Sequence, residues 1–303
     1  MKSRLFVASA DIERETGFGR DQLRKWRQRF QFPPLEFTAE GKPGYSVNTV
    51  NRLRLVRRLL DGGFRPGYVV GKTLEELEKL HVAVSLSVPR VCDDESTSEL
   101  IEQLKKADSA GFLKLLVKKR AKKTLLQFSR SVVAPLLKGL GDAWARGDVE
   151  IHHEHFCSFC IERYFHAQIL RLKPKRGAPK ILMALPPGEH HFLGLLMIEA
   201  VLAEQGAMTV SLGSDIPLNE LKLAATSHNV DAVALSFSAA YPARDILPTL
   251  KHLRRLLPRR IPIWAGGATL AGIKNRPTGV SLFPELDGVV AALNDMVDQM
   301  SVR

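Results

Sequence analysis

One loop in the middle of the chain holds an acid, a histidine and a glycine at a spacing suited to metal binding, Glu189-x-His191-x-x-Gly194. It follows an apolar run at residues 180–185 that predicts a buried parallel strand, and it precedes a helical pattern at residues 195–204. Open α/β sheets bind ligands at the carboxyl ends of such strands. A neutral histidine can ligate a metal, a nearby acid can orient its ring, and a glycine lets a flat ligand approach the backbone. A polar surface loop without a ligand is the alternative interpretation.

Two further segments follow predicted strands later in the chain. Ser236 and Ser238 lie at the end of the third predicted strand, and Gly266 and Gly267 follow the fourth.

These segments resemble the cobalamin-binding module of corrinoid enzymes and regulators. In that family the motif is Asp/Glu-x-His-x-x-Gly, followed by Ser-x-Leu and Gly-Gly, and the histidine is the lower axial ligand of cobalt. The resemblance implies that His191, and not its neighbour His190, binds cobalt, with Glu189 and Gly194 completing the motif. It also implies that the serines and the paired glycines line the slot for the nucleotide tail. Ser238 stands where the family commonly has leucine.

The region from residue 176 to residue 303 alternates between strand and helix patterns with short connections. Such alternation predicts an α/β domain with a doubly wound parallel sheet. The resemblance implies that this sheet is a Rossmann-like cobalamin-binding domain. The predicted strands are residues 180–185, 208–212, 232–237, 261–265 and 279–282, and the predicted helices are residues 195–204, 218–228, 243–257 and 284–300. A loop at residues 213–217 resembles the family's loop beside the corrin edge. The basic residues at positions 254, 255, 259 and 260 are expected to form a solvated face.

Residues 96–175 have the pattern of a four-helix bundle, and residues 81–95, with a proline and a polar cluster, have that of an interdomain linker. The bundle helices are predicted at residues 97–106, 110–119, 123–144 and 150–172. Nine residues separate Trp144 from the pair Glu154-His155. A flat aromatic can pack on another ring, and a carboxylate can accept hydrogen bonds. A core position in the bundle is the alternative for Trp144.

The spacing Trp-x9-Glu-His resembles the marker of the light-responsive cobalamin regulators called CarH or LitR. The resemblance implies that the bundle covers the upper face of the corrin ring and that Trp144, Glu154 and His155 surround an adenosyl group. Some relatives have a histidine directly after the tryptophan, which captures cobalt after photolysis. This chain has Ala145 there, which leaves the upper ligand of the photoproduct open.

A second constellation lies on the same predicted helix. His153, Cys157 and Cys160 fall on one face at i, i+4 and i+7, where soft ligands could hold zinc or haem iron. A fourth ligand is missing from the pattern, and cysteines also pack well in helical cores. Both interpretations remain open at the level of sequence.

The first 72 residues carry most of the chain's positive charge. They hold fifteen Lys or Arg and seven Asp or Glu, which gives +8 of the net charge of +12 and favours a polyanionic partner. A short helix at residues 10–16, a turn at Gly17 and a second helix at residues 20–30 form a helix-turn-helix pattern. The second helix buries Leu23, Trp26 and Phe30 and turns its cations outward.

A wing at residues 37–44 and a helix through residue 60 then follow, beginning Gly44-Tyr45-Ser46. This order resembles the MerR family of regulators over residues 1–80, and the resemblance implies a dimer on a near-palindromic operator. Groove and phosphate contacts are expected from cations of the second helix, with Tyr45 and Arg52 steadying the wing and the backbone. Those cations are Arg20, Arg24 and Lys25.

Composition narrows the remaining possibilities. Without an apolar run of membrane-spanning length or a signal-peptide pattern, the chain is expected to be a cytoplasmic protein, and three cysteines make no disulfide framework. By resemblance, the sequence predicts a repressor, not an enzyme, that binds operator DNA as a dimer or tetramer and senses light through adenosylcobalamin. The alternatives are a cobalamin-independent regulator of the same architecture and a corrinoid enzyme subunit.

Overall fold

The computed structural model describes residues 6–9, 12–38, 41–61, 64–87, 95–146, 148–238, 241–273 and 275–301. The chain divides into two compact units. The first consists of Met1–Ser98 with Leu137–Glu154, and the second of Glu99–Leu136 with His155–Arg303.

The N-terminal part of the first unit is a small antiparallel sheet with helices. Strands β1 (Phe6–Ala8), β2 (Glu36–Phe37) and β3 (Pro43–Ser46) pair in the order β1-β3-β2. The helices are α1 (Ile12–Thr16), α2 (Arg20–Phe30), α3 (Val47–Asp61), α4 (Pro66–Val69) and α5 (Leu74–Ser87). Gly17 ends α1 with a positive φ of 71°, a conformation that glycine adopts without steric cost, and so sets the turn between α1 and α2.

The core under this turn is apolar and aromatic. Leu23 and Trp26 of α2 are buried at a helical spacing, and Trp26 packs edge-on against Phe18 with 4.7 Å between ring centroids. Leu53 and Val56 of α3 belong to the same cluster. Burial of one face of α2 leaves its cationic face exposed, which confirms the predicted winged helix-turn-helix.

The partly buried carboxylate of Glu36 joins the wing to α3. Oε1 of Glu36 accepts hydrogen bonds from the backbone N–H of Ser46 at 3.2 Å, from the Ser46 hydroxyl at 2.7 Å and from the Thr49 hydroxyl at 3.1 Å. These bonds join β2 to the point where β3 passes into α3. The wing is therefore held at its base by side chains as well as by strand pairing.

Helices occupy the middle of the chain. They are α6 (Glu95–Lys105), α7 (Ser109–Arg120), α8 (Leu125–Phe128), a π-helical turn (Ser129–Val133), α9 (Ala134–Arg146) and α10 (Ile151–Ile169). Asp108 caps α7 by accepting from the backbone N–H of Gly111, and Thr124 with Gln127 forms a capping box on α8. The single helix predicted at residues 123–144 is thus interrupted by a π-helical turn.

The C-terminal region is a five-stranded parallel sheet in the order β5-β4-β6-β7-β8. Its elements are β4 (Lys180–Ala184), α11 (Leu193–Glu204), β5 (Met208–Ser211), α12 (Leu218–Ser227), β6 (Ala232–Ser236), α13 (Ala243–Leu256), β7 (Ile263–Gly266), β8 (Val280–Phe283) and α14 (Leu286–Ser301). Alternate strand residues enter two separate apolar cores: Leu182 and Val233 pack on one face, and Ile181 and Ala232 on the other. Burial on both faces confirms the predicted doubly wound sheet.

Three polar contacts join the helices of residues 99–136 to this sheet domain within the second unit. The carboxylate of Glu204, at the end of α11, accepts from the Arg120 guanidinium at 2.8 Å and from the backbone N–H of Leu125 at 2.6 Å. Arg130 pairs with Asp287 of α14 at 3.1 Å. The end of α7 and the start of α8 are therefore attached to α11.

Within the described ranges, every helix is too short or too polar to cross a membrane.

Candidate functional site

The loop between β4 and α11 is organised around the buried carboxylate of Glu189, whose exposure is 1%. Its Oε1 accepts from the backbone N–H groups of His190 and His191, both at 2.9 Å, and lies 2.8 Å from Nδ1 of His191. Its Oε2 accepts from the backbone N–H of Ser238 at 2.7 Å. One carboxylate therefore shapes its own loop and joins it to the end of β6.

The protonation state of Glu189 determines which histidine nitrogen can ligate a metal. Burial alone would raise the pKa of this carboxyl, but the hydrogen bonds from the His191 side chain and backbone and from Ser238 outweigh it and hold the pKa at about 2. An ionised carboxylate can only accept hydrogen bonds, so Nδ1 of a neutral His191 carries the proton and Nε2 carries the lone pair. The side chain of His191 is 63% exposed. The ring is thus oriented as a metal ligand requires.

Ser238 adds a second contact to the histidine. Its hydroxyl lies 3.2 Å from Nδ1 of His191, while its backbone N–H donates to Glu189. Where the family commonly has leucine, this chain therefore places a polar hydroxyl group beside the histidine ring.

The remaining predicted site residues lie where neighbouring strands end. A Cβ on Gly194 would come within 3.0 Å of the Ser236 hydroxyl, so a glycine lets the start of α11 lie close to the end of β6. Gly266 is the register partner of Ser236 across the β6–β7 pair. Gly267 has a φ of 136°, and a Cβ there would overlap the backbone carbonyl oxygen of Phe237. The structure brings together Glu189, His191, Gly194, Ser236, Ser238, Gly266 and Gly267 at one edge of the sheet.

Asp215 also lies at this edge of the sheet, which its residue type alone did not predict. It has a positive φ of 60°, and its Oδ1 accepts from the backbone N–H of Gly188 at 3.4 Å. Aspartate tolerates the left-handed conformation better than most residues, which was the available signal. Asp215 links the loop after β5 to the loop that carries His191.

The three predicted upper residues are divided between the two units. Trp144 on α9 and Glu154 on α10 are half-buried and belong to the first unit, whereas His155 is exposed and belongs to the second, as does the His191 loop. All three make contacts with other residues. Their joint role around a ligand stays a prediction.

The alternative metal site on α10 is not supported by the structure. Cys157 and Cys160 are both fully buried, and burial raises the pKa of the Cys160 thiol, which disfavours the thiolate that a metal needs. Across the part of the chain that the structure describes, no group of three or more His, Cys, Asp or Glu is arranged to hold a metal ion. Packing of the two cysteines in the helical core is the better interpretation.

The predicted nucleic-acid residues fall into an exposed group and a buried group. Arg20, Arg24 and Lys25 are exposed on α2, and Arg24 pairs with the exposed Asp21 at 3.2 Å. Tyr45 is buried, and its hydroxyl accepts from the Arg27 guanidinium at 3.0 Å. An exposed ion pair of this kind contributes little stability, so Arg24 can exchange it for a phosphate at little cost.

Arg52 and Arg27 support the wing from inside. The Arg52 guanidinium lies 3.9 Å from the centroid of the Phe32 ring, and burial lowers its pKa, with the charge of Glu76 opposing this shift. Arg27 appears in the sequence as part of the cationic face, but it donates to the backbone carbonyl of Pro33 at 2.9 Å as well as to Tyr45. Both arginine side chains therefore make contacts within the protein and do not extend freely into solvent.

Fold and site together define a class of protein, a winged helix-turn-helix domain joined to a doubly wound sheet domain. Residues 8–72 match the family model described as "MerR HTH family regulatory protein". The chain is 27% identical to the HTH-type transcriptional repressor CarH of Myxococcus xanthus over 250 residues. This alignment covers 81% of this chain and 83% of that protein. The repressor CarA of the same organism is 27% identical over 266 residues, 84% of each chain. The predicted resemblance to CarH-type regulators is confirmed.

A solved structure supports the fold of the C-terminal region. The monomethylamine corrinoid protein of Methanosarcina barkeri superposes with a TM-score of 0.53 and 18% identity, over 67% of this chain and 100% of that chain. The helices and the parallel sheet therefore have the fold of a corrinoid protein.

The exposed face of α2 leads to a prediction about DNA affinity. We expect Arg24→Ala to weaken DNA binding and to flatten the log–log dependence of affinity on salt by about 0.9 for one lost phosphate contact. Arg171→Ala, which removes the same charge at an exposed position outside the MerR-type domain, is the matched control. Titrations of labelled duplex at several salt concentrations measure both slopes. Equal slopes for wild type and Arg24→Ala would exclude the phosphate contact.

Proposed function

We propose that the protein is a transcriptional repressor that binds operator DNA as a homo-oligomer and uses adenosylcobalamin to sense light. The observation that carries the proposal is the Glu189–His191 pair, an oriented histidine at the ligand edge of a corrinoid-type sheet. The similarity to the repressors CarH and CarA supports the regulatory role and argues against an enzymatic one. Operator binding would place the protein in the cytoplasm.

The residues at the sheet edge fit the lower half of a cobalamin. His191 would supply an imidazole Nε2 to cobalt, with Glu189 and Ser238 holding its ring. Ser236, Gly266 and the paired glycine after it would line the slot for the nucleotide tail. When bound, adenosylcobalamin supplies a cobalt–carbon bond that light can break.

Three residues of the helical region are proposed for the adenosyl side, on the basis of their spacing. The Trp144 ring would pack on adenine, while the Glu154 carboxylate and the His155 imidazole would hydrogen-bond to polar atoms of the adenosyl group. By resemblance, adenosylcobalamin held by His191 on its lower side and by these residues on its upper side would favour the state of the protein in which both sets of contacts are made.

Such a preference for one state would let the ligand control assembly. A ligand shifts an equilibrium only by its differential affinity for the two states. Contacts made by Trp144 and Glu154 in the dark would favour a DNA-binding oligomer, by resemblance a tetramer made of two dimers. Loss of these contacts after illumination would release the helices and weaken assembly. The domains in this proposal are residues 1–80 for DNA, 96–175 as the cap and 176–303 for cobalamin. Residues 81–95, predicted as a linker, are helical as far as Ser87, where α5 ends.

Comparison of dark and illuminated protein tests the proposal. The full chain loaded with adenosylcobalamin is examined by size-exclusion with light scattering, and by titration of a duplex that the dark complex selects from a random-sequence pool. We expect a larger mass in the dark and DNA affinity that falls on the order of 10-fold after green light, a typical coupling between two sites. Protein loaded with cyanocobalamin, which lacks the adenosyl group, is the control and should not respond.

Each negative outcome points to a different alternative. Identical mass and affinity in both states, with cobalamin bound, would mean that light is not the signal. DNA binding without cobalamin binding would favour a cobalamin-independent regulator. Cobalamin binding without DNA binding would favour a corrinoid enzyme subunit.

A further inference from the structure

The end of α13 and the turn that follows it form a strongly basic surface. Between residues 246 and 284 the chain contains seven Lys or Arg and no Asp or Glu. Among the described residues five of these cations are exposed, and three of the five, Arg255, Arg259 and Arg260, lie at the end of α13 and in the turn that follows it. We call these three residues the α13 patch.

The backbone that presents the patch is fixed by a neighbouring arginine. Arg254 donates to the backbone carbonyls of Ile261 at 2.7 Å, of Leu257 at 2.9 Å and of Pro258 at 2.5 Å. These carbonyls lie on both sides of Arg259 and Arg260 in the chain. The turn therefore holds its cations on a rigid surface next to the last turn of the helix.

Positive charges in this turn repel one another. Burial lowers the pKa of Arg254, and the charge of Arg259 lowers it further. A helix C-terminus favours cations within its last turn, which accounts for Arg254 and Arg255. It does not account for Arg259 and Arg260, which lie beyond the helix. An anionic partner would offset this repulsion.

The patch is separate from the candidate cobalamin site. The turn at residues 257–262 joins the end of α13 to the amino end of β7, whereas Gly266 and the His191 loop lie at the carboxyl ends of the strands. The two surfaces are thus at opposite edges of one sheet, and a partner on the patch does not compete with a ligand at His191.

The composition of this surface distinguishes between kinds of partner. Among the described residues between 246 and 284, no large apolar side chain is exposed. Protein–protein interfaces depend on aromatic or aliphatic anchors at their centre, and membrane-surface segments insert such groups into lipid. Binding to a DNA backbone needs only well-placed cations. The surface therefore fits a row of phosphates better than it fits a protein or a membrane.

We propose that the α13 patch is a second DNA-binding surface, which contacts the phosphate backbone outside the segment bound by α2. The proposal rests on the DNA binding of the MerR-type domain and extends it to the sheet domain. Its contacts would add affinity on long DNA without adding sequence preference, because phosphates carry no base identity.

Salt-dependent titrations of the full chain on a long random-sequence duplex test the proposal. The triple variant Arg255→Ala, Arg259→Ala, Arg260→Ala should flatten the log–log slope by up to about 2.7, since each phosphate contact contributes about 0.9. Replacement of the same three residues by lysine should keep the slope. The matched control removes three other exposed cations of the second unit, Arg171, Lys173 and Arg176, and should leave the slope unchanged.

Two results would overturn the inference, and each is distinct from failure of the proposed function. An unchanged slope in the alanine triple variant, with Arg24→Ala still weakening binding, would show that DNA contacts only the MerR-type domain. An equal loss in both triple variants would show an effect of net charge alone. Absence of DNA binding by wild type would refute the proposed function and this inference together. Circular dichroism of each variant confirms that it remains folded.

Discussion

His191→Ala should remove the protein imidazole from cobalt and lower the affinity for cobalamin by on the order of 100-fold or more, because loss of an outer-shell partner of a metal ligand alone costs about 10- to 100-fold. The expectation follows from the bond between Nδ1 of His191 and Glu189, which leaves Nε2 as the lone-pair nitrogen of the ring. His190→Ala should bind cobalamin as wild type does. Its contact with Glu189 is made by its backbone N–H, which alanine keeps.

Spectroscopy separates ligation from mere affinity. In protein labelled with ¹⁵N-histidine, the electron paramagnetic resonance spectrum of the bound cobalt(II) form should show coupling to the labelled nitrogen. The coupling should vanish in His191→Ala and persist in His190→Ala. Affinities come from equilibrium titration followed by visible absorption. If wild type and His191→Ala show the same coupling and affinity, His191 is not the cobalt ligand.

The sequence predicted this part of the molecule well because its signals are local. A strand, a loop and a helix can be identified within one short segment, from an apolar run, then Glu189-x-His191, then a helical pattern. The sheet itself followed from the repetition of that unit, since alternating strands and helices favour a parallel sheet. The same holds for α2, where Leu23 and Trp26 mark the buried face and thereby the exposed one.

Local sequence patterns could not predict individual contacts between residues that are far apart in the chain. Ser238 lies 47 residues from His191 in the chain, and its hydroxyl reaches the histidine ring only because β4 and β6 are neighbours. Arg27 has the residue type of a DNA contact, yet its partners are a carbonyl and Tyr45, brought near by the wing. In both positions tertiary packing determines the role of a side chain whose type permits several.

At Gly194 the structure adds a second reason for a glycine. The sequence suggested a glycine for close approach of a ligand, and the structure shows that a Cβ would also meet the Ser236 hydroxyl at 3.0 Å. Helix-to-strand packing and ligand access therefore impose the same residue. A glycine pattern alone cannot separate these requirements, because both exclude a side chain.

Gly267 is the position where a single methyl group should have the largest effect on the sheet domain. Its φ of 136° lies in a region that L-residues rarely adopt, and an added Cβ would overlap the backbone carbonyl oxygen of Phe237. That carbonyl belongs to the loop that continues into Ser238, which donates to Glu189. Relief of the overlap therefore requires the ends of β6 and β7 to separate at the edge where the His191 loop lies.

We therefore expect Gly267→Ala to lower the free energy of unfolding of the sheet domain by on the order of 3–5 kcal/mol, from backbone strain and overpacking together. Cobalamin binding should be lost with it, because Glu189 would lose the Ser238 N–H that helps to hold its carboxylate. Gly272→Ala is the matched control: it adds the same methyl group five residues later, where a Cβ meets nothing within 4 Å. Thermal and denaturant unfolding of both variants, with a cobalamin titration of each, measures the difference. Equal stability and equal cobalamin affinity in the two variants would contradict the close approach of β7 to Phe237 and with it this account of the paired glycines.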